Sequence, residues 1–205
     1  GANVRVIMTE GAREFITPLT MQALSGNEVH IDLLDTQAEA AMGHIELARW
    51  ADVVIVAPAS ADTIARLVQG RADDLLGACV LATKAPLFVA PAMNQEMWAK
   101  KATQDNIHTL SERGATILGP DAGSQACGDI GAGRLLEPDN IVQAIADTLT
   151  TGALAGRTIV ITAGPTREPI CPDRHLSNRG SGEMGYALAE GCLHAGARTT
   201  QISGP

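Results

Sequence analysis

The chain has 205 residues, 45% of them apolar, which is enough to bury a core and leaves room for one large or two small domains. Its 15 basic and 23 acidic residues give a net charge of −8, a balance that repels nucleic acid and anionic lipid. Aromatic residues at 2% offer no series of stacking platforms for single strands, and no apolar run approaches the roughly 20 residues of a membrane span.

In chain order, residues 4–8 read as a strand with no element before it. Thr17 followed by Pro18 is a helix start, an N-cap with proline at the first helical position, and Gly26 is its stop. After His44, the residues Ile45, Leu47 and Ala48 are read on one helix face, with Glu46 and Arg49 turned elsewhere. Further strands are expected at residues 52–57, 87–90 and 116–118, separated by stretches of helical spacing. That alternation predicts right-handed βαβ units and a parallel sheet covered by helices on both faces.

Residues 119–133 hold five glycines and one proline and read as a long loop of the kind that binds or covers a ligand. A helical pattern returns at 140–149. A strand at 158–162, a Gly/Pro/Ser-rich loop at 163–184, a helix at 185–195 and a strand at 199–202 then begin a second α/β unit. The expected organisation is a first domain over 1–152, a linker over 153–156 and a second domain over 157–205. The second is too short to bury a core alone, so it is expected to be the opening of a larger domain, and the chain to be truncated at both ends.

The four cysteines, Cys79, Cys127, Cys171 and Cys192, include no C-x-x-C pair. They predict a reduced, cytoplasmic protein without a metal site. Cys79 and Cys192 fall in helical patterns and are expected in the core, whereas Cys127 lies in the glycine-rich loop, where packing gives it no role.

Several polar residues are candidates for chemistry, each with a structural alternative. Ala57-Pro58-Ala59-Ser60-Ala61-Asp62-Thr63 follows a strand and opens a helix; its hydroxyls either cap the helix or meet a phosphate. His44 is either structural or catalytic. Asn94, in Pro91-Ala92-Met93-Asn94-Gln95-Glu96-Met97-Trp98 at a strand end, can cap a helix, hold a carboxylate, or both. Arg134 can meet a phosphate or join a surface ion pair.

That segment, Gly43-His44-Ile45-Glu46-Leu47-Ala48, and Ala126-Cys127-Gly128-Asp129-Ile130-Gly131-Ala132-Gly133-Arg134 together resemble the flavin-dependent cysteine decarboxylases. Thr162-Ala163-Gly164-Pro165-Thr166-Arg167-Glu168-Pro169-Ile170 and Ser177-Asn178-Arg179-Gly180-Ser181-Gly182-Glu183-Met184-Gly185 resemble the opening of a phosphopantothenate–cysteine ligase domain. The resemblance implies a Rossmann-like, flavodoxin-like fold and FMN-dependent decarboxylation of 4′-phosphopantothenoylcysteine to 4′-phosphopantetheine, in a homo-oligomer built from trimers. It implies FMN contacts at Thr9, Ser60, Asp62, Thr63 and Ala92, and catalytic roles for His44 and for Cys127, the latter as proton donor. Asn94 is implied at the substrate carboxylate, with Met93 and Arg134 also at the substrate. The glycine-rich first loop of the family, which also holds FMN, has no counterpart after Gly1. For the ligase, CTP and Mg²⁺ are implied, with Asn178 functional; Cys171 stands where an aspartate is usual and Glu183 where a lysine is usual. The alternatives are a non-catalytic flavoprotein subunit, or a peptide cysteine decarboxylase or flavin prenyltransferase of the same fold.

Overall fold

The computed structural model describes residues 2–33, 43–125, 128–149 and 152–204. The chain divides into two compact units, Gly1–Ile141 and Val142–Pro205. The first unit contains β1 (Val6–Ile7), α1 (Glu10–Arg13), α2 (Pro18–Ser25), β2 (Val29–His30), α3 (His44–Trp50), β3 (Val54–Ala59), α4 (Ala61–Gln69) and α5 (Leu75–Ala82). It continues through β4 (Leu87–Pro91), α6 (Gln95–Ala99), α7 (Lys101–Glu112), β5 (Thr116–Ile117), β6 (Asp121–Ser124) and β7 (Ile130–Arg134). A helix, α8 (Pro138–Leu149), runs across the division.

The strands pair in parallel as β1 with β2 and in the order β3-β4-β5, and β6 pairs antiparallel with β7. Central β4 is the most enclosed: Phe88, Val89 and Ala90 are fully buried. Val56 and Ala59 of β3, Ile64 and Leu67 of α4, and Leu110 of α7 pack with Val89 into the main core. A smaller cluster joins Leu47 of α3 to Leu75 and Cys79 of α5, with Ile7 and Leu33 against it.

Helix starts follow from side-chain caps. Thr17 Oγ1 accepts the Thr20 N–H at 3.3 Å, Pro18 stands at the first position, and Gly26 closes α2 at φ 69°. Asp74 caps α5 by accepting the Gly77 N–H at 2.7 Å. A Cβ at Gly77 would come within 2.2 Å of the Arg71 carbonyl, so the α4–α5 connection requires glycine there.

The second unit contains β8 (Thr158–Ala163), β9 (Arg167–Cys171), β10 (Arg174–Ser177), α9 (Glu183–His194) and β11 (Arg198–Ser203). Strands β8 and β11 are parallel over six residue pairs, the β9–β10 hairpin is antiparallel, and Ala163, Ala189 and Ala197 are buried.

Several expectations are corrected. Residues 119–133 are not a loop throughout but carry the β6–β7 hairpin, and residues 163–184 carry β9–β10. Glycines and polar residues hide such short strands, because pairing depends on a partner rather than on local propensity. Ile45 is 41% exposed while Leu47 and Ala48 are buried; at 3.6 residues per turn, Ile45 and Leu47 point to opposite sides of α3. Val4, expected in the first strand, lies before β1 and is exposed. Cys192 is half-buried rather than in the core.

Candidate active site

Ser60 and Ala92 follow the carboxyl ends of the adjacent parallel strands β3 and β4, where α/β folds place ligands. After β3, Ser60 accepts the Thr63 N–H at 3.2 Å and its hydroxyl lies 3.0 Å from the Thr63 hydroxyl. Asp62 sits in the same first turn of α4 and is exposed. The Ala92 N–H, after β4, donates to the Ala59 carbonyl at 3.0 Å. The ends of two adjacent strands therefore carry small side chains and hydroxyls beside the N-terminus of a nine-residue helix.

Next in the chain, the half-buried turn Met93-Asn94-Gln95 meets the β6–β7 hairpin. The Met93 N–H donates to the Gly133 carbonyl at 2.9 Å. Asn94 caps α6, its Oδ1 accepting the Glu96 N–H at 2.8 Å, while its Nδ2 donates to Asp129 Oδ2 at 3.2 Å. The Gln95 N–H donates to Gln125 Oε1 at 3.1 Å. Both readings of Asn94 thus remain compatible: it is a helix cap, and its donor end is turned toward the hairpin. Gln125 and Asp129 were not singled out by sequence; the one signal was their position beside Cys127, which itself lies outside the described residues.

His44 is the first residue of α3, a helix set against α5. Cys79 Sγ donates to the His44 carbonyl at 3.4 Å, and Thr83 Oγ1 donates to the Ala48 carbonyl at 2.9 Å. Burial pushes the Cys79 thiol up to about 11, so this sulfur is a packing group and a weak donor.

Thr9 caps α1, accepting the Ala12 N–H at 3.3 Å, and lines a cavity of about 310 Å³ with Met8, Arg13, Leu33 and the start of α5. Glu10, Asp32, Asp73 and Asp74 also line it. Asp73 is held ionised, its carboxyl lowered to about 2 by hydrogen bonds from Arg66 and Arg71. Ser60, Thr63 and Ala92 do not line this cavity. Its carboxylates disfavour a phosphate, whereas the first turn of α4 offers hydroxyls and backbone N–H groups that favour one.

Arg134 is exposed and its Nη2 pairs with Glu137 Oε1 at 2.5 Å. In the second unit, Asn178 is exposed after β10 and its carbonyl accepts the Ser177 hydroxyl at 3.4 Å. Gly182, at φ 81°, precedes α9 with no side-chain cap, and a Cβ on it would come within 3.0 Å of the Gly164 amide nitrogen. The end of β8 and the start of α9 are therefore in close backbone contact. Glu183 occupies the first turn.

A family model for flavoproteins matches residues 1–150, and one described as the DNA/pantothenate metabolism flavoprotein C-terminal domain matches residues 154–205. The chain belongs to the flavoprotein family. It is 57% identical over 205 residues to the coenzyme A biosynthesis bifunctional protein CoaBC of Vibrio vulnificus and 56% identical over 206 residues to that of Escherichia coli. Both matches cover 100% of this chain and 51% of the relative, so the chain spans about half the length of these curated relatives. Among solved structures, a cysteine-to-serine mutant of a PPC decarboxylase complexed with pantothenoylaminoethenethiol aligns at TM-score 0.60 and 35% identity, covering 70% of this chain and 81% of that one. The FMN binding protein AtHal3 aligns at TM-score 0.61 and 34% identity, covering 72% and 82%. The fold is therefore flavodoxin-like α/β. No helix among the described residues is long and apolar enough to cross a membrane.

Proposed function

We propose that residues 1–152 form an FMN-dependent decarboxylase that converts 4′-phosphopantothenoylcysteine to 4′-phosphopantetheine in coenzyme A biosynthesis, and that residues 157–205 open a CTP-dependent phosphopantothenate–cysteine ligase domain. The observation that carries the first part is the docking of the Met93-Asn94-Gln95 turn onto the β6–β7 hairpin, in a chain 57% identical to a bifunctional CoaBC protein.

The residues fit FMN: the small side chain of half-buried Ala92 leaves room beside two joined strand ends, and Ser60, Thr63 and the first turn of α4 present hydroxyl and amide groups. Ser60, Asp62, Thr63, Ala92 and, at the N-cap of α1, Thr9 would hold it. When bound, FMN supplies reversible two-electron chemistry that lets the carboxylate leave as CO₂ with no net oxidation of substrate.

The chain's own residues do the rest. Asn94 donates from Nδ2 to the carboxylate that is lost, and Met93 shapes the turn that presents it. His44 accepts or relays the proton removed from the substrate, and the Cys127 thiol returns a proton to the product carbon. Arg134 exchanges Glu137 for the substrate phosphate, a bidentate partner suited to its guanidinium.

The assembly is a homo-oligomer built from trimers. Phe15, Leu19 and Leu24 are 93%, 73% and 78% exposed around α1 and α2, and such exposed apolar side chains would be covered in an assembly. Cytoplasmic residence is supported by the free thiols of Cys79, Cys171 and Cys192. For the ligase part, CTP with Mg²⁺ is the expected ligand and Asn178 a functional residue, with the close β8–α9 turn in support. Glu183 in the first turn of α9 opposes a phosphate there.

The test is the visible spectrum of the purified full-length protein together with CO₂ release from phosphopantothenoylcysteine. A flavin spectrum and stoichiometric CO₂ are expected. A colourless protein that releases none refutes the reading.

A further inference from the structure

We propose that Gln125 and Asp129 are positioning residues that hold the β6–β7 hairpin against the Met93-Asn94-Gln95 turn and fix the direction in which the Asn94 amide donates.

An asparagine amide is two-faced, and its function depends on which end points where. Here both ends meet groups that permit one orientation. The Glu96 N–H can only donate, and it meets Oδ1 at 2.8 Å. The Asp129 carboxylate, when ionised, can only accept, and it meets Nδ2 at 3.2 Å. A flipped amide would set oxygen against carboxylate and N–H against N–H, losing both bonds at once. Asp129 therefore supplies from the hairpin the half of the orientation that the cap on α6 does not.

Gln125 secures the other end of the same contact. Its Oε1 accepts the Gln95 N–H at 3.1 Å, and its Nε2 donates to the Ala132 carbonyl at 3.4 Å. One side chain thus ties the first turn of α6 to β7. Its own backbone closes the hairpin end, donating to the Asp129 carbonyl at 2.9 Å and accepting the Gly128 N–H at 2.9 Å. Gln125 and Asp129 are thus joined backbone to backbone, so displacing Gln125 shifts the partner of Asn94.

The consequence for substrate rests on the decarboxylase reading above. A carboxylate can be recognised only by the nitrogen end of Asn94, so anything that frees the amide to turn weakens that recognition without touching substrate itself. A role through orientation also differs from a role through charge: asparagine at 129 keeps an acceptor oxygen, and alanine does not.

Two measurements on the full-length protein decide the matter. The first needs no substrate: Gln125→Ala is expected to speed hydrogen exchange of the Gln95 amide by about tenfold, with amides of β3 and β4 unchanged as the fold control. The second is kinetic. Asp129→Ala is expected to lower kcat/KM for phosphopantothenoylcysteine about tenfold, and Asp129→Asn to restore it to within about threefold of the parent. In an Asn94→Ala background, Asp129→Ala should add nothing, because the group it orients is gone. Unchanged Gln95 exchange, parent-like Asp129→Ala, or full additivity with Asn94→Ala overturns the proposal. If the parent itself releases no CO₂, the decarboxylase reading fails, and the exchange measurement alone decides whether the positioning contact stands.

Discussion

Met93 and Gly133 are joined backbone to backbone: the Met93 N–H donates to the Gly133 carbonyl at 2.9 Å, and a Cβ on Gly133 would come within 2.2 Å of the Met93 carbonyl oxygen. The turn that carries Asn94 and the second strand of the hairpin can therefore approach only because residue 133 has no side chain. Its φ of 144° adds a second reason for glycine.

Gly133→Ala is expected to separate the hairpin from the turn, since backbone atoms on both sides must move. Gly131→Ala meets instead the side chain of Gln95, whose Oε1 lies 1.9 Å from the new methyl position but at the end of a flexible chain. The alanine at 133 should cost at least about 1–2 kcal/mol of local stability from its backbone conformation alone, and the alanine at 131 less. Limited proteolysis of the two variants checks this order. Equal cleavage of the hairpin in both would show that the close approach to Met93 has no mechanical importance.

His30 makes stability depend on pH. It is 6% exposed, and among the described residues its Nε2 has no hydrogen-bond partner. Burial lowers its pKa below the ordinary 6.5, nearby Arg5 lowers it further, and Glu28 opposes both. Above pH 6.5 the imidazole is neutral both folded and unfolded, so stability is intact. As pH falls below 6.5 the unfolded chain takes the proton first, and stability is lost until the folded pKa is passed. Urea midpoints from pH 7.5 to 5 should fall in the parent and fall less in His30→Gln; parallel slopes would assign the loss to other groups.

The two described cysteines with shifted pKa values should differ as nucleophiles. Cys79 is raised to about 11 from 9.0 by burial, which leaves about a hundredfold less thiolate than an unperturbed thiol near neutral pH. Cys171 is lowered, first by the hydrogen bond from Arg174 Nε at 3.5 Å and then by backbone N–H groups. Iodoacetamide at pH 7.5, followed by peptide mapping, should label Cys171 at least about a hundredfold faster than Cys79. Comparable rates would mean that the packing around Cys79 opens readily.

How much of this was legible in the sequence depends on the range of the interaction. Thr17, Pro18 and Gly26 act within one helix, and their caps and stop were readable from spacing. Ser60, Ala92 and Asn94 could be placed at strand ends because the apolar runs before them are local signals. The β6–β7 hairpin could not, since Gly131 and Gly133 lower strand propensity and the contacts that hold them come from Met93 and Gln95, more than thirty residues away in the chain. Gln125 was invisible for the same reason: its partner is a backbone N–H. Ile45 was misplaced on its helix because residues two apart on a helix do not share a face.

Asn94→Asp tests the proposed substrate contact with the smallest change in shape. The new carboxylate keeps an acceptor for the Glu96 N–H, so the cap on α6 survives. It loses the Nδ2 donor and sets a second negative charge where the amide now meets Asp129 at 3.2 Å. Two like charges at about 4 Å repel by about 1 kcal/mol in water and about 4 kcal/mol at the lower effective dielectric near a protein surface; a bound substrate carboxylate adds a third. The variant should keep its flavin spectrum, because the residues proposed to hold FMN, Thr9, Ser60, Asp62, Thr63 and Ala92, are untouched, while turnover of phosphopantothenoylcysteine falls by at least about tenfold. Pairing it with Asp129→Asn removes the repulsion within the protein but not that toward substrate, so only part of the loss should return. Steady-state kinetics of the three proteins check this, and parent-like turnover of Asn94→Asp would remove Asn94 from the carboxylate site.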